Sequence, residues 1–396
     1  MGNTLKLKIL KYMGSNIEIL EKIKLENSGK YTIAIDWLEI NCLSDFIAEL
    51  ENEIIQEKGY YYQINLDLGL NFIGGSKNYK SVLEVFFKGE KVAYLCAHAR
   101  NFEIMKPNQC SLKLENKILY TDQWFEILEY LRENLKIHFK NITRLDIAVD
   151  GVNFLQEFLN DYLKGKFKNE LIKIGRAKFN GYQFSEKTLN FENFTLGKPS
   201  SEKMMSFYMK SKEIKDSGKY YILDFWRKNG LDVKKIFRAE IRLKNEYLKY
   251  IKDFNYKNLK DKNYVLSLFK RSIKNYFDFA VKSKKDSNIS RMERLDLFNF
   301  DLSELQNLDF EKVKDESDIS KIKVAIHLLE KLKLTKVMDE EIFASINNLI
   351  DYLVAVANLQ SWYKFKQKQW RNFYEYYSKM KIYKEVYKEL TKNERN

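Results

Sequence analysis

Hydrophobic and polar residues alternate with a period of two along several stretches of this chain. In Ile142–Asp150, Leu145, Ile147 and Val149 fall on one side and Arg144, Asp146, Ala148 and Asp150 on the other. Phe237–Lys244 repeats the scheme, with Phe237, Ala239, Ile241 and Leu243 set against Arg238, Glu240, Arg242 and Lys244. That period belongs to a strand, because successive side chains leave a pleated backbone on opposite faces. Similar patterns predict strands over Tyr31–Asn41, Tyr60–Leu68, Cys110–Tyr120, Ile172–Glu186, Phe191–Gly197 and Lys203–Ile214. Ser81–Phe87 and Lys91–Ala97, joined at Lys88-Gly89-Glu90, predict a hairpin. Apolar residues three and four apart predict helices over Leu43–Gln56, Phe154–Leu163 and Trp124–Ile137, the last capped by Thr121 or Asp122.

Glycine and proline divide the chain. All 15 Gly and both Pro lie before residue 231. These residues punctuate strands and turns, so the earlier part is expected to be strand-rich and the remainder mostly helical. Many strands with a few helices, and no regular βαβ repeat, predict an α+β fold. A largely antiparallel central sheet would carry flanking helices, followed by a helical C-terminal region. The expected divisions are 1–120, an N-terminal α+β subdomain; 121–250, a second subdomain; and 251–396, helical. A terminal helix is marked by Trp362, Phe365, Trp370, Phe373, Tyr377, Met380, Tyr383, Tyr387 and Leu390 at spacings of three to five.

Composition narrows the function. With 45% hydrophobic and 15% aromatic residues, the chain can bury cores and is not a disordered polyelectrolyte. Its formal net charge of +14 points to a polyanionic partner or an anionic membrane surface. Three unrelated cysteines give neither a disulfide framework nor a thiolate metal site, and a reducing cytoplasm is expected. The apolar stretch Ile342–Tyr363 contains Asp351 and several amides, so no membrane partner is expected. Gly69–Ser76 lacks the lysine of a phosphate-binding loop, and His98, His138 and His327 are isolated.

Three predicted strands carry candidate chemistry. Asp146 and Asp150 project to one side with only Ala148 between them, which suits a hard divalent cation; a surface strand whose acids pair with Arg144 has the same pattern. Glu240 stands between Arg238 and Arg242, a plausible third ligand amid phosphate-binding cations, or plain charge alternation on a solvated face. On Lys203–Lys212 the alternation presents Ser206, Tyr208, Lys210 and Lys212, with Met205, Phe207 and Met209 in the core. A tyrosine so flanked can act as a nucleophile if a cation or metal favours its phenolate; as one of 26 tyrosines, Tyr208 could equally serve packing or the rim of the sheet. Together the three strands describe a phosphoryl-transfer site.

The same residues carry a resemblance. Thr143–Asp150 resembles the "TRLDLAxD" motif of the Rep_trans family of rolling-circle replication initiators. Thr195–Lys210 is similar to that family's "YLGSRxSDRxIRIYDK" segment, and Phe237–Leu243 to its "WRVEIEL" segment, in the same order. Ile35-Asp36-Trp37-Leu38 resembles its early "IDYLS" strand. The arginine before the family's tyrosine is Ser206 here. The resemblance implies a nickase-like fold and site-specific DNA nicking in which Tyr208 forms a 5′-phosphotyrosine and frees a 3′-OH. It implies Asp146 and Glu240, with Asp150, as ligands of Mg²⁺ or Mn²⁺, and Lys210 as a cation assisting the leaving group or binding phosphate. Arg144, Lys203, Lys212, Arg238 and Arg242 would bind DNA phosphates. Implied partners are origin DNA (a single-stranded or hairpin nick site plus duplex), a host helicase, a DNA polymerase and a second copy of the chain. A conjugative-element relaxase would use the same chemistry. An inactive DNA-binding protein or repressor of the same fold would bind without cleaving.

Overall fold

The computed structural model describes residues 31–367 apart from 54–57, 104, 153–155, 176, 185–190, 235, 283–287, 296, 299–304, 307, 310–317, 333–339, 361 and 365. The predicted helix face beyond residue 367 lies outside the described residues. The chain divides between Glu311 and Lys312 into two compact units.

The first unit is organised by one antiparallel sheet. Its strands are β1 (Tyr31–Leu43), β2 (Tyr61–Gln63), β3 (Leu68–Gly74), β4 (Tyr79–Phe87), β5 (Glu90–Ala99), β6 (Gln109–Leu114), β7 (His138–Val152), β9 (Phe179–Phe184), β10 (Phe191–Leu196), β11 (Lys203–Met209) and β12 (Ile236–Lys244). Their order is β2-β3-β4-β5-β6-β1-β7-β12-β11-β10-β9, so the sheet runs unbroken from the N-terminal strands into the motif-bearing ones. A smaller sheet joins β8 (Leu171–Lys173) to β13 (Phe279–Val281) and β14 (Arg294–Leu295). The α+β architecture with a large antiparallel sheet is thus as the alternation predicts.

One face of the large sheet is the main core. Leu145, Ile147, Val149, Met205, Phe207, Phe237 and Ile241 are fully buried there, in one cluster with Leu266 and Phe269 of the helix Lys262–Ile273. Burying each such side chain contributes roughly 1.5–3 kcal/mol. The opposite face meets the helices Lys210–Ser217 and Tyr221–Lys228 through a small cluster of Ala34, Tyr120, Ile214, Ile222, Trp226, Leu231 and Ile236. The candidate site lies on this second face.

Several boundaries differ from the sequence-based expectation. The predicted 203–214 strand stops at Met209 and turns into the helix Lys210–Ser217, which ends at Gly218 in the left-handed conformation (φ 71°). The amide of Gly218 closes that helix by donating to the Ile214 carbonyl at 2.9 Å. The predicted 110–120 strand ends at Leu114, and Asn116–Leu119 is a short helix. The helix Trp124–Asn134 has Gln123 at its cap, not Thr121 or Asp122. Thr121 instead donates its hydroxyl to the Ile118 carbonyl at 2.7 Å, and Asp122 pairs with Lys228. The predicted 172–186 strand is split into β8 and β9. The β4–β5 hairpin turns at Lys88 (φ 50°) and Gly89 (φ 79°), two left-handed residues in succession, as tight hairpins of matching twist require.

The second unit contains the helices Asp318–Leu332 and Glu340–Val356 around Ile326, Ile346, Ile350, Val354 and Leu359. No helix among the described residues is long and apolar enough to cross a membrane.

Candidate active site

Antiparallel pairing puts directly opposed residues on the same face, and here it gathers the motif side chains. Asp146 lies opposite Arg242, and Asp150 opposite Arg238. Ser206 lies opposite Glu240, and Tyr208 opposite Arg238. From the neighbouring β1 comes a residue the alternation does not mark. The β1–β7 register jumps between Ile35 and Trp37, leaving Asp36 as the extra residue of a bulge. A bulge re-aims a side chain, and this one turns the Asp36 carboxylate into the site.

The centre of the arrangement is a hydrogen bond. The Tyr208 hydroxyl donates to Glu240 Oε2 at 2.7 Å. Burial, then the charges of Asp36 and Asp146, push the Glu240 carboxyl up to about 7. Burial and the Glu240 charge push the Tyr208 phenol well above its ordinary value. The proton therefore rests on Tyr208, beside a carboxylate made unusually basic. Lys210 Nζ lies 5.5 Å from the centre of the Tyr208 ring and 2.5 Å from Glu213. Burial, with the Arg238 charge, lowers the Lys210 ammonium pKa.

Beneath this pair lies a buried ion network. Arg238, with no exposed side-chain surface, donates from Nε to Asp150 Oδ1 at 2.6 Å and from Nη2 to Asp150 Oδ2 at 2.7 Å. Its Nη1 donates to Asp36 Oδ1 at 2.7 Å and lies 3.9 Å from Glu240 Oε2. Its Nη2 also donates to the Tyr120 hydroxyl at 2.8 Å, and Tyr120 in turn donates to Asp36. Trp226 Nε1 closes the remaining side of Asp150 at 2.8 Å. Burial alone would raise the pKa of Asp36, but the charges of Arg238 and Lys210 and the Tyr120 bond hold it well below the usual carboxylate range.

These contacts separate the sequence-predicted residues. Asp150 differs from the metal-ligand role expected of it, because both its oxygens are taken. Arg238 likewise has no surface left for a DNA phosphate. Asp146 is buried between Arg144 Nε at 3.0 Å and Arg242 Nε at 3.3 Å. The two arginines themselves remain partly exposed, and Arg144 stacks on Trp37 at 4.0 Å. Lys203 points to the core face instead, where Nζ donates to the Ser272 carbonyl at 2.9 Å between the rings of Tyr247 and Tyr276. Lys212 lies on the helix beyond β11, exposed, and pairs with Glu192 at 2.6 Å.

No three His, Cys, Asp or Glu side chains among the described residues converge closely enough to hold a metal ion. The three-acid set of Asp146, Asp150 and Glu240 is therefore not assembled. What remains is an oxygen pair, Asp36 and Glu240, both facing Arg238 Nη1. Glu240 is engaged by Tyr208, so a hard cation of the Mg²⁺ kind would draw on Asp36, whose hydrogen bonds from Arg238 and Tyr120 both fall on Oδ1, and complete its shell with water and phosphate.

Residues 140–323 match the family model described as Replication initiation factor, Rep_trans. All the sequence-predicted site residues lie within the matched residues, whereas Asp36 and Tyr120 reach the site from before them. A solved structure of the rolling circle replication initiator protein from Geobacillus stearothermophilus is similar at TM-score 0.40 and 17% identity, covering 68% of this chain and 94% of that one. No curated protein matches the sequence.

Proposed function

We propose that this protein nicks DNA at a replication origin, with Tyr208 as nucleophile. The observation that carries the proposal is the 2.7 Å hydrogen bond from the Tyr208 hydroxyl to a carboxylate whose pKa is pushed up to about 7. A base near the working pH can take the phenolic proton as the oxygen attacks phosphorus. The bond formed is phenolic oxygen to phosphorus; the bond broken is phosphorus to the 3′ oxygen of the preceding nucleotide. The tyrosine proton passes to Glu240. The departing 3′ oxygen takes a proton from Lys210, whose ammonium burial makes a better acid. The products are a 5′-phosphotyrosine and a free 3′-OH.

Arg144 and Arg242, held side by side by Asp146, present partly exposed guanidiniums to the phosphate backbone. Mg²⁺ or Mn²⁺ would be held by Asp36 with water and the scissile phosphate and, when bound, would polarise the phosphodiester, leaving Glu240 to the phenolic proton. Arg238 acts beneath them as a positioning residue, fixing Asp36 and the floor on which Glu240 stands.

The test is covalent capture. Wild-type protein incubated with a labelled single-stranded oligonucleotide from its own origin and Mg²⁺ or Mn²⁺ is expected to give a detergent-resistant adduct. Tyr208→Phe should bind the same oligonucleotide and give none. Wild-type binding without any adduct would instead identify a DNA-binding protein that does not cleave. In the same assay, Arg242→Gln should weaken binding and flatten the slope of log affinity against log salt by about 0.7, the share of one single-strand phosphate contact. An unchanged slope would remove Arg242 from the DNA interface.

A further inference from the structure

A concavity opens at the end of β11. Met209, the residue after Tyr208, lines it together with Ile214, Leu223, Val233 and Tyr220, and it encloses about 390 Å³. That volume falls within the ~300–1,000 Å³ of small-ligand pockets. Lys212, Lys215 and Lys234 also line it, all exposed, and no carboxylate does. Lys212 pairs with Glu192 beyond the pocket. Tyr220 is 58% exposed, a large aromatic ring left in water beside an apolar floor.

An apolar floor, an exposed phenol ring and three ammonium groups are complementary to one kind of molecule: a flat, weakly polar ring system flanked by phosphates. A nucleotide within a single strand has that chemistry, since its base is free to leave the stack and lie on an aromatic face. A base inside a duplex does not offer its face. Met209 follows Tyr208 directly in the chain, so the pocket begins one residue from the candidate nucleophile.

We propose that this pocket takes one unstacked nucleobase of single-stranded DNA beside the phosphate presented to Tyr208, with Lys215 and Lys234 on the adjoining phosphates. The choice of DNA as ligand rests on the nicking function proposed above. Occupancy of this pocket would fix which phosphate reaches the nucleophile, so its lining sets the sequence tolerance on one side of the nick.

The test reads binding and needs no cleavage. Fluorescence anisotropy compares a labelled oligothymidylate of roughly 20 nucleotides with an abasic strand of the same length and phosphate count. Tyr220→Ala is expected to weaken binding of the thymidylate about tenfold, the loss of one stacked base, and to leave the abasic strand unaffected. Tyr220→Phe, which keeps the ring, should bind as wild type. Lys215→Gln with Lys234→Gln should weaken both strands alike and reduce the salt slope by about 1.4, or two contacts. Equal loss on both strands for Tyr220→Ala, or no loss on either, would overturn the proposal. Base-independent binding by a protein that still forms the Tyr208 adduct would sink the pocket alone. Base-dependent binding by a protein that forms no adduct would sink the nicking function alone.

Discussion

Arg238→Met should destabilise the first compact unit by about 3–5 kcal/mol, the effect of removing one partner from a buried ion pair. The reason is what the guanidinium leaves behind. Asp150 is buried with both oxygens facing Arg238 and Trp226, and Asp36 shares the same guanidinium. Methionine fills similar volume but satisfies neither acid. Thermal melting should show a loss of roughly 5–15 °C. The pH dependence has a definite sign. Asp36 has a depressed folded pKa, so its contribution is present above the ordinary aspartate value of 3.8 and is lost as pH falls below it. Wild type should therefore lose stability on acidification through that range, and Arg238→Met should lose less. A variant that melts with wild type would show that the network is not anchored on Arg238.

Glu240→Gln should lower nicking by roughly 10²–10⁴-fold, the range for removing a general base. The same change should stabilise the protein above neutrality. Glu240 has a folded pKa of about 7 against an ordinary 4.5, so the folded state holds its proton more tightly than the unfolded chain does. Its ionisation costs stability progressively between those values, by of order 3 kcal/mol once complete. Glutamine carries no such cost. Wild-type nicking should rise with pH through about 7, whereas the variant should be slow and flat across that range. Equal activity in the two proteins would remove Glu240 from the proton transfer. A variant both inactive and less stable at pH 8 would assign Glu240 a purely structural part.

How far the site could be read from the sequence depends on which interactions lie along one strand. Alternation in 142–150 and 237–244 correctly sorts Leu145, Ile147, Val149, Phe237 and Ile241 to the core and the charged residues to the other face. It does not say which charges meet across strands. The register that sets Asp150 against Arg238 turns a candidate ligand and a candidate phosphate clamp into a sealed pair. Asp36 was hidden because a bulge breaks the period that would have marked it, although it sits in the Ile35–Leu38 stretch that resembles the family's early strand. Lys203 shares the parity of Met205 and Phe207, so the alternation places it on the core face, where the structure has it. The passage from strand to helix at Lys210 escapes a period-two pattern, since Lys210 and Ile214, four residues apart and both buried, are legible only at the helical period.

The account stands on Tyr208 as the atom that becomes bonded to DNA. The most direct measurement is mass spectrometry of the adduct after nuclease trimming and tryptic digestion. The peptide Met204–Lys210 contains a single tyrosine, and the account predicts a residual nucleotide mass on that peptide, attached at Tyr208. Nucleotide mass on a peptide carrying Tyr120 or Tyr221, the other phenols close to the network, would contradict it.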